Sequence, residues 1–353
     1  MNPAILMAFV LTQAPQSPPS PPPDTPSIKV GATIFTDYTV QQQPKIVDVD
    51  GNAVAASAFE VTRAYFNLTG TISRRIAFRL TSDVARETGS GSSLNGSYTM
   101  RLKFAYLQWT LDDALRSKDT YVRLGIQPAP WLVFMDEIYR YRFQGQEFEE
   151  RDGYMTFADA GVSMHYTLPG DYGDVHTGFY DGEGYARADP NDQKAWMTRG
   201  SLRPLPHGGA LHGLRVNGFY DRDAYAADAE RRRANVAITF EHRYVNAAFD
   251  TMRALDRPTT SAALVHGRAW SAWVIPKAGH GWEGLIRVDR VTPNTDAADA
   301  VRKRTIAGIA YWFPHQGTVA TALLFDVDHT TFAAFTPSQP AQRKLALHAM
   351  LTF

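Results

Sequence analysis

Two groups of residues in this 353-residue chain have the chemistry to act on a solute. The first is a set of arginines read as facing the interior of a sheet structure: Arg79, Arg123, Arg199, Arg203, Arg215, Arg268 and Arg287. Arginine stays charged and meets carboxylate or phosphate through two parallel N–H donors. A row of them along a wet passage would guide anions by interacting with partly dehydrated ions. The competing reading is that each pairs with a carboxylate on the same wall, such as Asp83, Glu241 or Asp289, and only solvates that wall. The second group lies in Pro128–Met155. This stretch combines Trp131, Leu132, Val133, Phe134, Ile138, Tyr139, Tyr141 and Phe143 with a dense set of charges that includes Asp136, Glu137, Arg140, Arg142 and Glu147. A loop this apolar needs burial. Folding inward against the wall of a barrel would bury it and narrow a pore; packing on a rim or on a neighbouring subunit would bury it without doing so.

Covalent chemistry finds less support. Serine, histidine and aspartate all occur, but neither G-x-S-x-G nor H-E-x-x-H does. Val47–Asn52 (V-D-V-D-G-N) has the acidic spacing of a calcium loop, yet its glycine is misplaced and the closing glutamate is missing, so a hairpin tip fits better. Asp326, Asp328 and His329 sit near a strand end and read as a rim cluster rather than a metal site. No enzyme activity, metal or cofactor is expected. The absence of cysteine excludes disulfides, thiolate metal sites and thiol nucleophiles, and suits passage through an oxidising compartment. The net charge of zero gives no global attraction to nucleic acid.

The elements that would position these residues are strands. In Lys344–Phe353, Leu345, Leu347, Ala349, Leu351 and Phe353 share one face, and the chain stops on the aromatic end. A terminal strand of this kind has a reason to exist if it pairs with the first strand and closes a sheet, because closure removes exposed edges. Closed barrels are the β structures that span membranes. The spacing predicts sixteen strands: 28–39, 58–70, 73–84, 98–111, 119–127, 156–168, 173–184, 195–206, 211–222, 231–242, 245–255, 263–275, 281–291, 302–312, 318–331 and 341–353. Links after even strands are short, as at Thr71–Ile72 and Arg243–Tyr244. Links after odd strands are longer, as at Val40–Ser57, Ala85–Ser97 and Pro128–Met155. That rhythm is the sidedness of an outer-membrane barrel.

Individual strands alternate accordingly. Ile76, Phe78 and Leu80 oppose Arg79, Thr81 and Asp83; Val236, Ile238 and Phe240 oppose Asn235, Thr239 and Glu241. In 119–127, Val122, Leu124 and Ile126 oppose Arg123 and Gln127; in 281–291, Trp282, Ile286 and Val288 oppose Glu283, Arg287 and Asp289. The apolar face must meet lipid, which leaves the charged face to a wet lumen. Strand 98–111 breaks the alternation near Phe104, where a bulge would restore it. Residues 1–14 read as a signal peptide with Thr12 and Ala14 at a small-residue cleavage pattern. The proline-rich residues 15–27 read as a periplasmic spacer, since proline lacks a ladder donor, and 28–353 as one all-β transmembrane antiparallel barrel whose third long loop folds inward.

Arg63–Gly70 (R-A-Y-F-N-L-T-G), Leu124–Pro130 (L-G-I-Q-P-A-P) and Asp159–Gly184, with D-A-G-V-S-M-H-Y and then G-F-Y-D-G-E-G, resemble the phosphate-selective porins of the outer-membrane porin O and P family. The resemblance implies a sixteen-stranded homotrimeric porin with an arginine ladder, and phosphate selectivity in its best-known members. Those members use lysines at the constriction, and Pro128–Met155 contains none. Phe353 matches the terminal aromatic through which the barrel assembly machinery recognises outer-membrane proteins. The expected protein is therefore an outer-membrane porin of a Gram-negative-type bacterium, surrounded by outer-membrane lipid and passing small hydrophilic solutes or anions. The alternative is a plugged barrel that binds partners in the envelope.

Overall fold

The computed structural model describes residues 26–297, 300–315 and 317–353. The expected signal peptide (1–14) and residues 15–25 of the expected spacer lie outside the described residues. Ser27, the last spacer position, is instead the first residue of a strand.

Sixteen antiparallel strands form one closed barrel in which each pairs with its sequence neighbours and the last pairs with the first. The first eight are β1 (Ser27–Val47), β2 (Ala53–Thr71), β3 (Ile76–Arg86), β4 (Tyr98–Thr110), β5 (Tyr121–Pro128), β6 (Ala158–Leu168), β7 (Gly173–Tyr180) and β8 (Ala195–Leu202). The second eight are β9 (Leu214–Asp223), β10 (Glu230–His242), β11 (Val245–Arg257), β12 (Val265–Gly279), β13 (Trp282–Thr292), β14 (Val301–Trp312), β15 (Ala320–Ala333) and β16 (Gln342–Thr352). β1 and β16 are in register from Thr33 opposite Thr352 to Gln41 opposite Lys344. At that seam Phe353 and Ala32 exchange two backbone hydrogen bonds of 3.1 Å. The expected closing role of the terminal strand is thus met by direct pairing.

The two-residue alternation decides which side chains meet lipid. In β10, Val236 and Ile238 are 53% and 50% exposed, whereas Asn235 and Thr239 are 2% and 0% exposed. A charge on the outer set would cost about 2–4 kcal/mol at mid-membrane, so apolar residues occupy it and polar ones turn inward. The anomaly in β4 is a bulge: Thr81 pairs with Phe104 and Ser82 with Leu102, leaving Lys103 as the extra residue. Lys103 and Phe104 are both buried as a result.

Two expected links differ. Val40–Ser57 is not a long loop, because β1 continues to Val47 and β2 begins at Ala53. The tip is held by Asp48, whose Oδ1 accepts the Asn52 and Asp50 amides at 2.8 and 3.0 Å. A carboxylate that satisfies backbone donors two and four residues on makes a compact turn. This is the hairpin-tip reading of V-D-V-D-G-N. The link expected at His207–Ala210 is longer, since β8 stops at Leu202 and β9 starts at Leu214. Among the described residues, helix is limited to α1 (Asp112–Leu115), α2 (Leu132–Tyr139), α3 (Phe148–Arg151) and three single 3-10 turns.

Candidate functional site: the lumen and its third long loop

The segment between β5 and β6 is built from residues that leave it no stable place in water. Trp131, Leu132, Ile138, Tyr139, Tyr141, Phe143 and Phe148 are each 3% exposed or less. They are covered by the buried faces of distant strands. Trp131 lies tilted at 5.6 Å from Phe219 of β9, Tyr139 lies 5.2 Å from Trp273 of β12, and Phe143 lies 6.3 Å from Phe35 of β1.

Polar contacts pin the same segment. The Asn246 amide of β11 donates to the Ile138 carbonyl at 3.0 Å, at the end of α2. Tyr141 donates its hydroxyl to Glu283 of β13 at 2.8 Å and accepts the Trp312 indole N–H of β14 at 3.0 Å. Arg140 reaches the other Glu283 oxygen at 3.2 Å, and Arg151 of α3 donates to Asp289 at 2.9 Å. Glu149 accepts from Trp131 at 2.9 Å and from Asn235 of β10 at 3.1 Å. β13 is eight strands from β5 in a ring of sixteen. The chain therefore leaves the wall at β5 and attaches to the opposite wall before it returns at β6.

Within the loop, Arg142 bridges Glu147 at 3.2 Å and Glu150 at 2.5 Å. Burial and the neighbouring Glu147 carboxylate push Asp136 well above the usual carboxylate range. Of the six loop residues singled out from the sequence, only Glu137 is exposed. Trp131 and Glu147 are buried and act in seating the loop; Asp136, Arg140 and Arg142 are half-buried.

The arginines separate into three situations. Arg79, Arg123, Arg199 and Arg215 line one cavity of about 280 Å³ with Phe134, Glu137, His165, Asp174 and His176. These come from the short-turn halves of β3, β5, β8 and β9 and lie beneath α2. Arg203, in the turn after β8, lines an adjoining cavity of about 270 Å³ together with Arg215, Asp119, Asp171 and Asp174. Arg199 is paired with Asp174, and Arg215 with Glu241 at 3.2 Å.

Arg79 and Arg123 differ from these: their partners are neutral. Arg79 donates to Thr81 and Asn67 at 2.9 and 3.0 Å and lies 4.5 Å from the Phe104 ring. Arg123 donates to Gln108 at 2.9 Å and stacks at 4.0 Å on Tyr121 and 4.7 Å on Tyr106.

Two positions need correction. Arg287 faces inward but lines no free space: it is 1% exposed, pairs with Asp289 at 2.8 Å, and lies under the Tyr139 ring. Arg268 is on the other side of the sheet altogether, because Ala269, Ser271, Trp273 and Ile275 form the buried face of β12. β12 carries Trp270 and Trp273 on opposite faces, so its own alternation does not reveal which side is wet.

Residues that the sequence reading missed complete the picture. Lys103 reaches the Tyr65 hydroxyl at 3.1 Å and lies 4.1 Å from the Phe157 ring, while Arg63 pairs with Asp83 at 2.5 Å. The bulge hid Lys103 by breaking the alternation around it. His165 and His176 stand 5.7 Å apart, edge to face, and were legible only through the inward phase they share with Arg199 across the ladder. No group of three or more metal-ligating side chains occurs among the described residues. Asp326 and Asp328 face inward, where they meet His348 and Arg304, and His329 faces out.

The model of the phosphate-selective porin O and P family matches residues 28–244. This chain belongs to that family. The porin is an outer-membrane diffusion channel, and its closed wall and charged lumen are the corresponding architecture. Solved barrels of the same fold include an OmpT loop-deletion mutant of Vibrio cholerae (13% identity, 94% of this chain and 100% of that one, TM-score 0.61). An anion-selective porin from Comamonas acidovorans aligns over 93% of this chain and 100% of its own, at 9% identity and TM-score 0.60. Salmonella typhi OmpF in complex with daunomycin aligns over 92% and 97%, at 10% identity and TM-score 0.62. At such identities the likeness is one of fold. No curated protein matches the porin's sequence.

Proposed function

We propose that this porin prefers small anions, with the loop between β5 and β6 as its constriction and with no chemical step. The observation that carries the reading is the pair Arg79 and Arg123: inward, in a common cavity, and held only by neutral groups. A guanidinium that is positioned by amides and aromatic rings keeps its charge available to a passing ion. Arg199 and Arg215 add to the field but are partly neutralised by Asp174 and Glu241. Glu137 opposes them, which argues for a modest preference rather than a tight site.

Phosphate is the finer proposal, since two forked donors suit its oxygens. The family's lysines are absent from the loop, and Lys103 on the wall is a lysine that stands in the loop's neighbourhood, 4.1 Å from the Phe157 ring. The assembly is a homotrimer in this reading, and Phe353 is the residue offered to the assembly machinery. The deciding experiment is single-channel recording of the refolded protein across a salt gradient, followed by addition of phosphate. Discrete steps, an anion-directed reversal potential and block by phosphate support the full reading. Steps with neither selectivity nor block reduce it to a general channel. A folded barrel without steps would favour the plugged alternative, for which the extensive seating of the loop is the supporting observation.

A further inference from the structure

The outward positions at the long-loop ends of β9–β14 should hold apolar, aromatic or paired residues. They hold instead three cross-strand pairs of like charge: Arg222 opposite Arg232, Arg253 opposite Arg268, and Arg290 opposite Lys303. Directly opposed residues of one sign repel. Only Arg232 has a carboxylate, Glu230 at 2.9 Å. The other five make no ion pair, hydrogen bond or ring contact with the described residues.

Three features point to what satisfies them. The first is height. Each of the six lies within five residues of the long-loop end of its strand, and the next outward residues below include Tyr220 and Trp270. Aromatic girdles mark the membrane interface, so the basic row sits at headgroup level on the rim that faces outside the cell. The second is shape. A groove of about 660 Å³ opens at this level, with exposed Phe179 and Trp196 on its apolar side and Lys194, Arg222 and Arg232 on its basic side. Asp223, Asp228 and Glu230 also border it; Asp223 is already engaged by Arg231, Glu230 by Arg232, and Lys194 by Asp181 and Asp189, which leaves Arg222 as the unpaired cation of the groove among the described residues. An apolar flank beside a basic one suits a molecule with a chain and a charged head. The third is what a second copy of the chain offers. The outward positions of β3–β16 carry one carboxylate, Glu230, so the face that these strands form in a second barrel supplies no acidic complement.

We propose that this face binds the phosphate groups of the lipid in the outer leaflet. Guanidinium pairs grip phosphate oxygens bidentately, and the bound phosphates relieve the repulsion along the row. The proposal does not depend on which solute the lumen passes.

The test is retention of bis-phosphorylated lipid A, against the same lipid stripped of its phosphates, by the refolded porin in detergent, read by native mass spectrometry. Wild type should retain the phosphorylated lipid preferentially, and less of it as salt rises. Arg253→Gln/Arg268→Gln should lower that retention about thirtyfold, as expected for two interfacial charges. The lumen variant Arg79→Gln/Arg123→Gln should leave it unchanged. Equal retention of the two lipids by wild type, or retention insensitive to salt, overturns the proposal without requiring any variant to fold. A folded Arg253→Gln/Arg268→Gln protein that keeps full preference also overturns it. So does one that loses its oligomeric state while keeping lipid, which would assign the face to a protein partner.

Discussion

Arg123 stacks its guanidinium 4.0 Å over the ring of Tyr121 and donates to the Gln108 amide oxygen, with no carboxylate among the described residues in contact. The same arrangement, on Asn67 and Phe104, holds Arg79. Replacing both by glutamine removes two positive charges while leaving amide hydrogen bonding possible. The zero-current potential in a salt gradient should move toward cation preference. An unchanged potential would place selectivity elsewhere in the lumen.

Tyr141 ties the loop to two strands at once, through Glu283 and Trp312. Tyr141→Phe leaves the partly buried Trp312 N–H without its acceptor and the buried Glu283 with Arg140 alone. Leaving a buried polar group unsatisfied costs about 1–3 kcal/mol. The barrel should still form, while open-channel noise rises as the loop loosens. Quiet single-channel traces in the folded variant would show that other contacts suffice to seat it.

Asp136 gives that seating a pH dependence. Burial and Glu147 raise its folded pKa, so the packed loop binds more protons than a detached one. Stability from this group is full below the ordinary carboxylate pKa and is lost as pH rises through the raised folded value. Channel noise should therefore increase with pH over that window in wild type and increase less in Asp136→Asn, where Glu149, also raised by burial, still titrates. Equal pH profiles for the two proteins would remove Asp136 from the account.

Ile238 stands outward in mid-strand between the buried Ala237 and Thr239. Ile238→Arg should cost about 2–4 kcal/mol if that depth is near the membrane centre. Urea unfolding of the refolded protein in lipid vesicles measures it. A cost near zero would mean that the site is not lipid-facing.

How much of this was legible follows from which interactions set each feature. The sixteen strands could be read because each carries its own alternation, as in Val236 and Ile238 against Asn235 and Thr239. The β4 bulge showed as a break in phase, although not that Lys103 would be the residue it turned inward. Arg203 falls within the expected strand 195–206 and lies in the turn beyond β8. Arg268 belongs to a strand whose two faces are equally apolar, so the alternation does not fix its side; pairing with Arg253 and Thr292 does. Arg287 lies on the inward face that its alternation with Ile286 and Val288 predicts, yet its exposure depends on Tyr139, a residue 148 positions earlier in the chain.

The order of residues alone therefore sufficed for a closed, two-faced wall and for the burial demand of Pro128–Met155, since alternation and apolar content are local properties. Which arginines keep a free charge, which wall receives the loop, and where the outer basic row aligns were decided only by closure of the barrel. Register brings Arg222 beside Arg232 and Tyr141 beside Glu283, and those pairings exist only once distant strands and loops occupy one ring.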